Sequence, residues 1–224
     1  MRSLSLLFVA FPLAAQVPGM TPFQEHKAEA LLREQLPCLG CHQLGGEGGR
    51  NAPSLDDVSQ RRDASYISAV IADPQRIVPG AAMPRIPMPQ STRELITAYL
   101  ARNTRGTTSP PPTVNPQPST ATTGAGNYAR WCASCHGVTG GGDGPNARYL
   151  PTPPAVHASP ARMGARSDDA LYDAIAGGGR VMGKSARMPA FGETLSPAEI
   201  RALVGYIRTL CKCKGPAWSL DGSR

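Results

Sequence analysis

Apolar residues recur along this chain at helical spacing, and the same order of features occurs twice. Ile200, Leu203, Val204, Ile207 and Leu210 return every three or four positions behind Ser196, Pro197 and Glu199, a helix-start signature. Leu95, Ile96, Tyr99 and Leu100 repeat the arrangement behind Ser91, with Glu94 three residues on, which predicts a helix beginning at Ser91. Thr21, Pro22 and Gln24 supply an N-cap, a proline at the first helical position and a capping-box partner, so a helix is expected over 21–36. Middle helices are expected at about 63–72 and 167–176. No run of alternating apolar residues is bounded by hairpin signals, and the pattern predicts an all-α chain.

Between the two sets of helices the pattern stops. Residues 105–123 hold Pro110, Pro111, Pro112, Pro116 and Pro118 among Ser, Thr and Asn, the composition of a semi-rigid linker. The flanking segments, 20–104 and 124–213, each run helix, Cys-x-x-Cys-His, Gly- and Pro-rich loop, helix, Met-Pro, amphipathic helix. This internal repeat predicts two small helical domains, followed by a tail at 214–224. With 5% aromatic residues against 24 Gly and 23 Pro, side chains alone make thin cores, and small domains in that position recruit disulfides, metals or cofactors. At the start, Arg2 precedes an apolar stretch over 4–15 that ends in small residues, which reads as an export signal at 1–15 cleaved after Ala15. Interrupted by Pro12, that stretch falls short of the ~20 apolar residues that span a bilayer. The mature chain is therefore expected in the periplasm, with no transmembrane segment.

Six cysteines in an exported chain would ordinarily suggest disulfides, but the spacing points elsewhere. Cys38, Leu39, Gly40, Cys41, His42 and Cys132, Ala133, Ser134, Cys135, His136 are two copies of the c-type haem attachment pattern, in which both thiols bond the porphyrin and the adjacent His ligates iron. A zinc site built from both pairs would have to reach across the linker. A thioredoxin-like pair would want a βαβ setting and leaves the repeated His unexplained.

On these residues the chain resembles the class I cytochrome c family, in a two-domain, two-haem form. Pro79, Gly80, Ala81, Ala82, Met83 and Pro84 look like the loop that carries the family's distal methionine. Tyr128, the segment from Gly140 to Pro145, Met188, Pro189, Phe191 and Leu195 are similar to the family's second-domain type. The resemblance implies two covalent haem c groups held by Cys38, Cys41, Cys132 and Cys135, with iron ligated by His42 and Met83 and by His136 and Met188. Met88 and Met182 are the rival thioethers. His26 and His157 are the alternative distal ligands and read more simply as surface histidines. The resemblance also places Pro53 where a carbonyl accepts the proton of the first imidazole, with Pro153 or Pro154 as its counterpart in the second domain.

The glycines at 140–144 and 177–179 lack the Lys-Ser or Lys-Thr of a phosphate loop and read as turns that let backbone approach a porphyrin edge. Cys211 and Cys213 fit no haem role; a local disulfide, an interchain pair and free thiols all remain open. The formal net charge of +7 is uneven: over 21–105 ten Lys and Arg face nine Asp and Glu, and over 121–224 twelve face seven. Arg180, Lys184 and Arg187, just before Met188, suggest docking of an acidic redox partner protein on the basic second domain. Nothing points to nucleic acid. The function expected is electron transfer between redox partners, without substrate chemistry, either as a free carrier or as the cytochrome subunit of a larger oxidoreductase. The alternative is a small dihaem oxidoreductase, thiosulfate dehydrogenase-like or peroxidase-like, with one open or labile haem site.

Overall fold

The computed structural model describes residues 19–102 and 123–219; the expected export signal, nearly all of the linker and the end of the tail lie outside the described residues. The first half opens with α1 (Pro22–Ala30), which runs on as a wider π-helical turn over Leu31–Gln35. Next come β1 (Gln43–Leu44) paired antiparallel with β2 (Glu47–Gly48), then α2 (Ala64–Ala72) and α3 (Gln90–Ala101). The second half contains α4 (Gly124–Trp131), α5 (Asp168–Val181) and α6 (Pro197–Cys211). The structure is mostly helical, in line with the expected all-α class, and adds only the small β1–β2 pair among the described residues. Strands of two residues are too short to leave an alternating pattern.

Local sequence explains where most helices start. At α1, Thr21 Oγ1 accepts from the Gln24 amide at 3.2 Å while Gln24 Oε1 accepts from the Thr21 amide at 2.9 Å. At α6, Ser196 and Glu199 form the same reciprocal pair at 3.3 and 2.9 Å. Each satisfies two of the donors that a helix N-terminus leaves open. The expected cap at Ser91 is not formed. Pro89 already holds φ near −57°, α3 begins at Gln90, and Ser91 lies inside the first turn. α6 ends at Lys212 in the left-handed region, and a disulfide joins Cys211 to Cys213 across that turn, which selects the local pairing from the three left open.

Two apolar cores result. In the first, Leu32 from the π turn, Ile67 from α2 and Ile96, Tyr99 and Leu100 from α3 pack with Leu39 of the first Cys-x-x-Cys-His motif. In the second, Tyr128 of α4, Leu171 and Ile175 of α5 and the buried stripe of α6 pack with Phe191 and Leu195. Ile200, Leu203, Val204 and Ile207 are almost fully buried, and each such side chain stabilises the fold by about 1.5–3 kcal/mol.

The halves meet along a polar seam built largely from arginines of the second half donating to main-chain carbonyls of the first. Arg130 Nη2 reaches Ala81 O at 3.2 Å, Arg180 Nη1 reaches Gln35 O at 3.3 Å and Arg187 Nη1 reaches Leu32 O at 3.4 Å. In return the Arg85 amide donates to Thr194 Oγ1 at 2.8 Å. Two of the three cations expected to meet a partner, Arg180 and Arg187, thus also bond the first half of the same chain, while Arg180 and Lys184 stay exposed.

α4 crosses α6 so closely that a Cβ on Gly124 would stand 2.1 Å from Ala202 O, whereas a Cβ on Gly205 would meet nothing within 4 Å. The two glycines should therefore respond oppositely to alanine. Gly124→Ala is expected to cost about 1–3 kcal/mol by overpacking the crossing. Gly205→Ala should add about 0.5–1 kcal/mol by removing backbone entropy from an exposed helical position. Urea unfolding of the two full-length variants measures both signs.

Candidate functional site

The two Cys-x-x-Cys-His motifs fold into the same turn. In the first, the Cys41 amide donates to Cys38 O at 3.2 Å and the His42 amide to the same carbonyl at 2.9 Å; in the second, Cys135 and His136 donate to Cys132 O at 3.2 and 2.9 Å. One is drawn as a tight turn over Pro37–Gly40 and the other as a helical turn over Ala133–His136. In either form, residues at i, i+3 and i+4 share one face, so two thiols and an imidazole are presented together.

Each imidazole is then fixed from behind. His42 Nδ1 lies 2.7 Å from Pro53 O and His136 Nδ1 lies 2.9 Å from Ala155 O. A carbonyl only accepts, so Nδ1 carries the proton and Nε2 keeps a free lone pair, the tautomer that a metal requires. Pro53 stands where the resemblance placed it. In the second half the acceptor is Ala155, not Pro153 or Pro154, because that proline-rich loop reaches the ring one residue later. Burial holds both imidazoles below the usual histidine range, against the pull of their carbonyl contacts. Burial also pushes the thiols up, Cys38 and Cys41 to about 11 and Cys132 to about 12. All four motif cysteines are free thiols, so the simple disulfide reading does not describe them. Among the described residues, no group of three or more His, Cys, Asp and Glu is gathered for a metal ion, and the cross-linker zinc site is not assembled.

The methionines sit on two different supports. Met188 is half-buried, and its carbonyl accepts from the Gly179 amide at 3.0 Å. That approach requires the glycines of α5: Gly178 has φ 75°, and a Cβ there would stand 2.7 Å from the Ala190 amide nitrogen. Met83 is half-buried, and its carbonyl accepts from the Gln75 side-chain amide. Met88 packs against the first core. Met182 caps the end of α5. The glycines at 178 and 179 thus let two backbone segments approach each other beside Met188. Those at 140–144 tuck beneath the second motif, where the Gly142 and Gly144 amides donate to His136 O and Cys135 O at 2.8 and 3.2 Å.

His26 is exposed on α1, as expected, but His157 is not a surface residue. It is 9% exposed, its Nδ1 lies 3.0 Å from the Tyr128 hydroxyl, and its ring stacks on His136 at 4.1 Å with an interplanar angle of 11°. Burial, with His136 and Arg166 nearby, holds it down to about 3. Asn146 is the second residue that the sequence does not reveal. At 2% exposed, in the loop that follows the second motif, it bonds both to Ser134 inside that motif and to Gly40 of the first. Neither carries a local signal, because burial of a polar side chain is decided by chain segments far away in sequence.

Residues 119–207, which contain the second motif and Met188, match the family described as cytochrome c oxidase, cbb3-type, subunit III. Among characterised proteins, the chain is 33% identical over 101 residues to cytochrome c oxidase subunit 2 of Alkalihalophilus pseudofirmus, over 38% of this chain and 30% of that protein. The chain thus spans less than a third of that relative's length. A chain of the Kuenenia stuttgartiensis reducing HAO-like protein complex is 26% identical over 66% of this chain and 71% of that one, with a TM-score of 0.33. The family match supports a cytochrome c domain over residues 119–207, a type of domain that binds haem c covalently.

Proposed function

We propose that this chain is a periplasmic dihaem c-type cytochrome that passes electrons between redox partner proteins. The observation that carries the reading is the identity of the two motif turns, each with its His Nδ1 tied to a main-chain carbonyl. The residues fit the group: two thiols and one unprotonated Nε2 on a single face are the donor set of haem c. Cys38 and Cys41, and Cys132 and Cys135, make the covalent links. His42 and His136 are the proximal ligands, and Met83 and Met188 the distal ones. When bound, haem supplies a one-electron iron couple whose potential a neutral thioether raises.

The chain's own residues do the positioning. Pro53 and Ala155 fix the imidazole tautomers, the glycines at 178 and 179 seat the Met188 backbone, and His157, locked by Tyr128, backs the His136 ring. Export agrees with the apolar stretch at 4–15, and no helix among the described residues is long and apolar enough to cross a membrane. Both sequence matches are to proteins described as cytochrome c oxidase subunits, which favours an oxidase-type assembly as partner or host. A second reading, a small dihaem oxidoreductase with one open site, draws on a cavity of about 270 Å³ that brings Arg85, Arg93 and Glu193 beside Met88.

Mass spectrometry of the mature protein should show the polypeptide plus two haems, and Cys135→Ala should remove or weaken attachment at the second motif alone. A zinc-bound protein without haem would overturn the reading.

Met188→Ala should lower the second potential and admit carbon monoxide or cyanide to the iron, as loss of the thioether opens a coordination position. The same substitution at Met83 and Met88 separates the two readings. A spectrum perturbed only by Met88→Ala would reassign the first ligand, and wild-type protein that binds carbon monoxide would favour the oxidoreductase.

His157 sets a pH dependence. Its folded value is depressed to about 3, so below its ordinary value near 6.5 the unfolded chain holds a proton that the folded chain does not. The stability from keeping it neutral is complete above pH ~6.5 and falls by about 1.4 kcal/mol per pH unit as pH drops towards 3. Urea unfolding at pH 7 and pH 5 should show that slope, and His157→Phe should flatten it.

A further inference from the structure

The seam between the halves brings the two attachment motifs against each other, and one buried side chain touches both. Asn146 Nδ2 donates to Gly40 O, inside the first motif, at 2.5 Å, and lies 3.5 Å from Cys135 Sγ, inside the second. Asn146 Oδ1 accepts from the Arg50 amide at 2.8 Å, and the Asn146 amide donates to Ser134 O at 2.9 Å. The side chain thus has its donor and acceptor paired in a site closed to water, where a bond left unmade costs the full desolvation of its partner.

The surrounding backbone leaves no slack. A Cβ on Gly40 would stand 2.2 Å from Arg187 O, and one on Gly49 would stand 2.5 Å from Gly40 O and 2.6 Å from Asn146 Nδ2. Glycine at both positions lets the first motif press against the segment just before Met188 and against Asn146.

We infer that Asn146 is a positioning residue that locks the two attachment motifs into one two-centre unit. It holds Cys135 against the Gly40–Cys41 peptide and provides a bonded path between the sites through its own amide. This rests on the two-haem reading above. Its consequence is that one electron placed on the molecule is shared between the sites, one being oxidised as the other is reduced, before it leaves to a partner. A contact serving stability alone would not set that exchange.

The test uses the mature dihaem protein, with Asn146→Leu to remove the bonds at similar volume and Gly49→Ala to wedge a methyl group between Gly40 and the Asn146 side chain while leaving residue 146 an asparagine. Two readouts are followed: the Soret circular dichroism, which becomes a bisignate couplet when two haems are held at fixed short range, and redistribution of an electron after pulse-radiolytic reduction. Wild type should show the couplet and a redistribution rate independent of protein concentration. In both variants the couplet should shrink and the rate fall several-fold, with haem content and absorption spectra unchanged. Wild type with two haems and no couplet would overturn the inference without needing either variant. So would a couplet and rate untouched in whichever variant folds. Wild type with one haem per chain would instead overturn the two-haem reading, and the inference with it.

Discussion

A main-chain carbonyl grips the Nδ1 proton of each of two buried imidazoles, and much of the rest of the chain keeps that carbonyl and that ring in register. The grip decides which ring nitrogen is free, and a ring turned the other way would offer a proton where a lone pair is needed. Holding it requires a loop that returns to the motif from eleven residues on in the first half and nineteen in the second. In the second half that loop is pinned by amides donating back into the motif turn, with glycines where any side chain would strike the Cys132–His136 backbone. A Cβ on Gly144 would stand 2.4 Å from Ser134 O. Composition follows from this demand: the abundance of glycine and proline that makes the aliphatic cores thin is what allows backbone to pack this tightly around the two motifs.

The two halves answer the same demand differently. His42 is backed by its carbonyl, with Arg61 among the charges that press on it. His136 has in addition a second imidazole stacked on it, locked by a tyrosine hydroxyl from α4. The stack gives the second ring less freedom to turn than the first. A neutral His157 in that position costs no buried charge, which is why burial can depress it so far. The same sequence motif therefore stands in two unlike surroundings.

The repeat, the motif turns and most of the helices are legible in the sequence because their causes are local. Reciprocal caps at Thr21 and Ser196, the apolar stripe of α6 and the i, i+3, i+4 placement of Cys, Cys and His need only neighbours within one or two turns. Where a competing local rule acts, the expectation moves: Pro89 takes the helix start from Ser91, and a loop one residue longer hands the carbonyl from proline to Ala155. The residues missed have causes about thirty to a hundred positions away. His157 is buried because Tyr128 lies 29 residues before it, and Asn146 because Gly40 lies 106 residues before it. Nothing in Gly144-Pro145-Asn146 distinguishes that asparagine from an ordinary loop residue.

The seam also changes what the basic character of the second half means. Read along the sequence, Arg180 and Arg187 look like cations displayed to an acidic partner. In the fold they donate to Gln35 and Leu32 carbonyls at the end of the first helical run, where a helix leaves acceptors unfilled and favours positive charge. Burial accordingly lowers Arg187, as expected for a guanidinium drawn into an interface. Arginine suits the task because it stays charged and its planar fork serves carbonyl oxygens with little loss of freedom. Much of the excess charge near Met188 is thus structural, joining two halves whose cores do not merge, and the join falls where Gly40 meets Arg187 and Asn146. Arginines placed there hold the two motifs against each other without merging the two apolar cores.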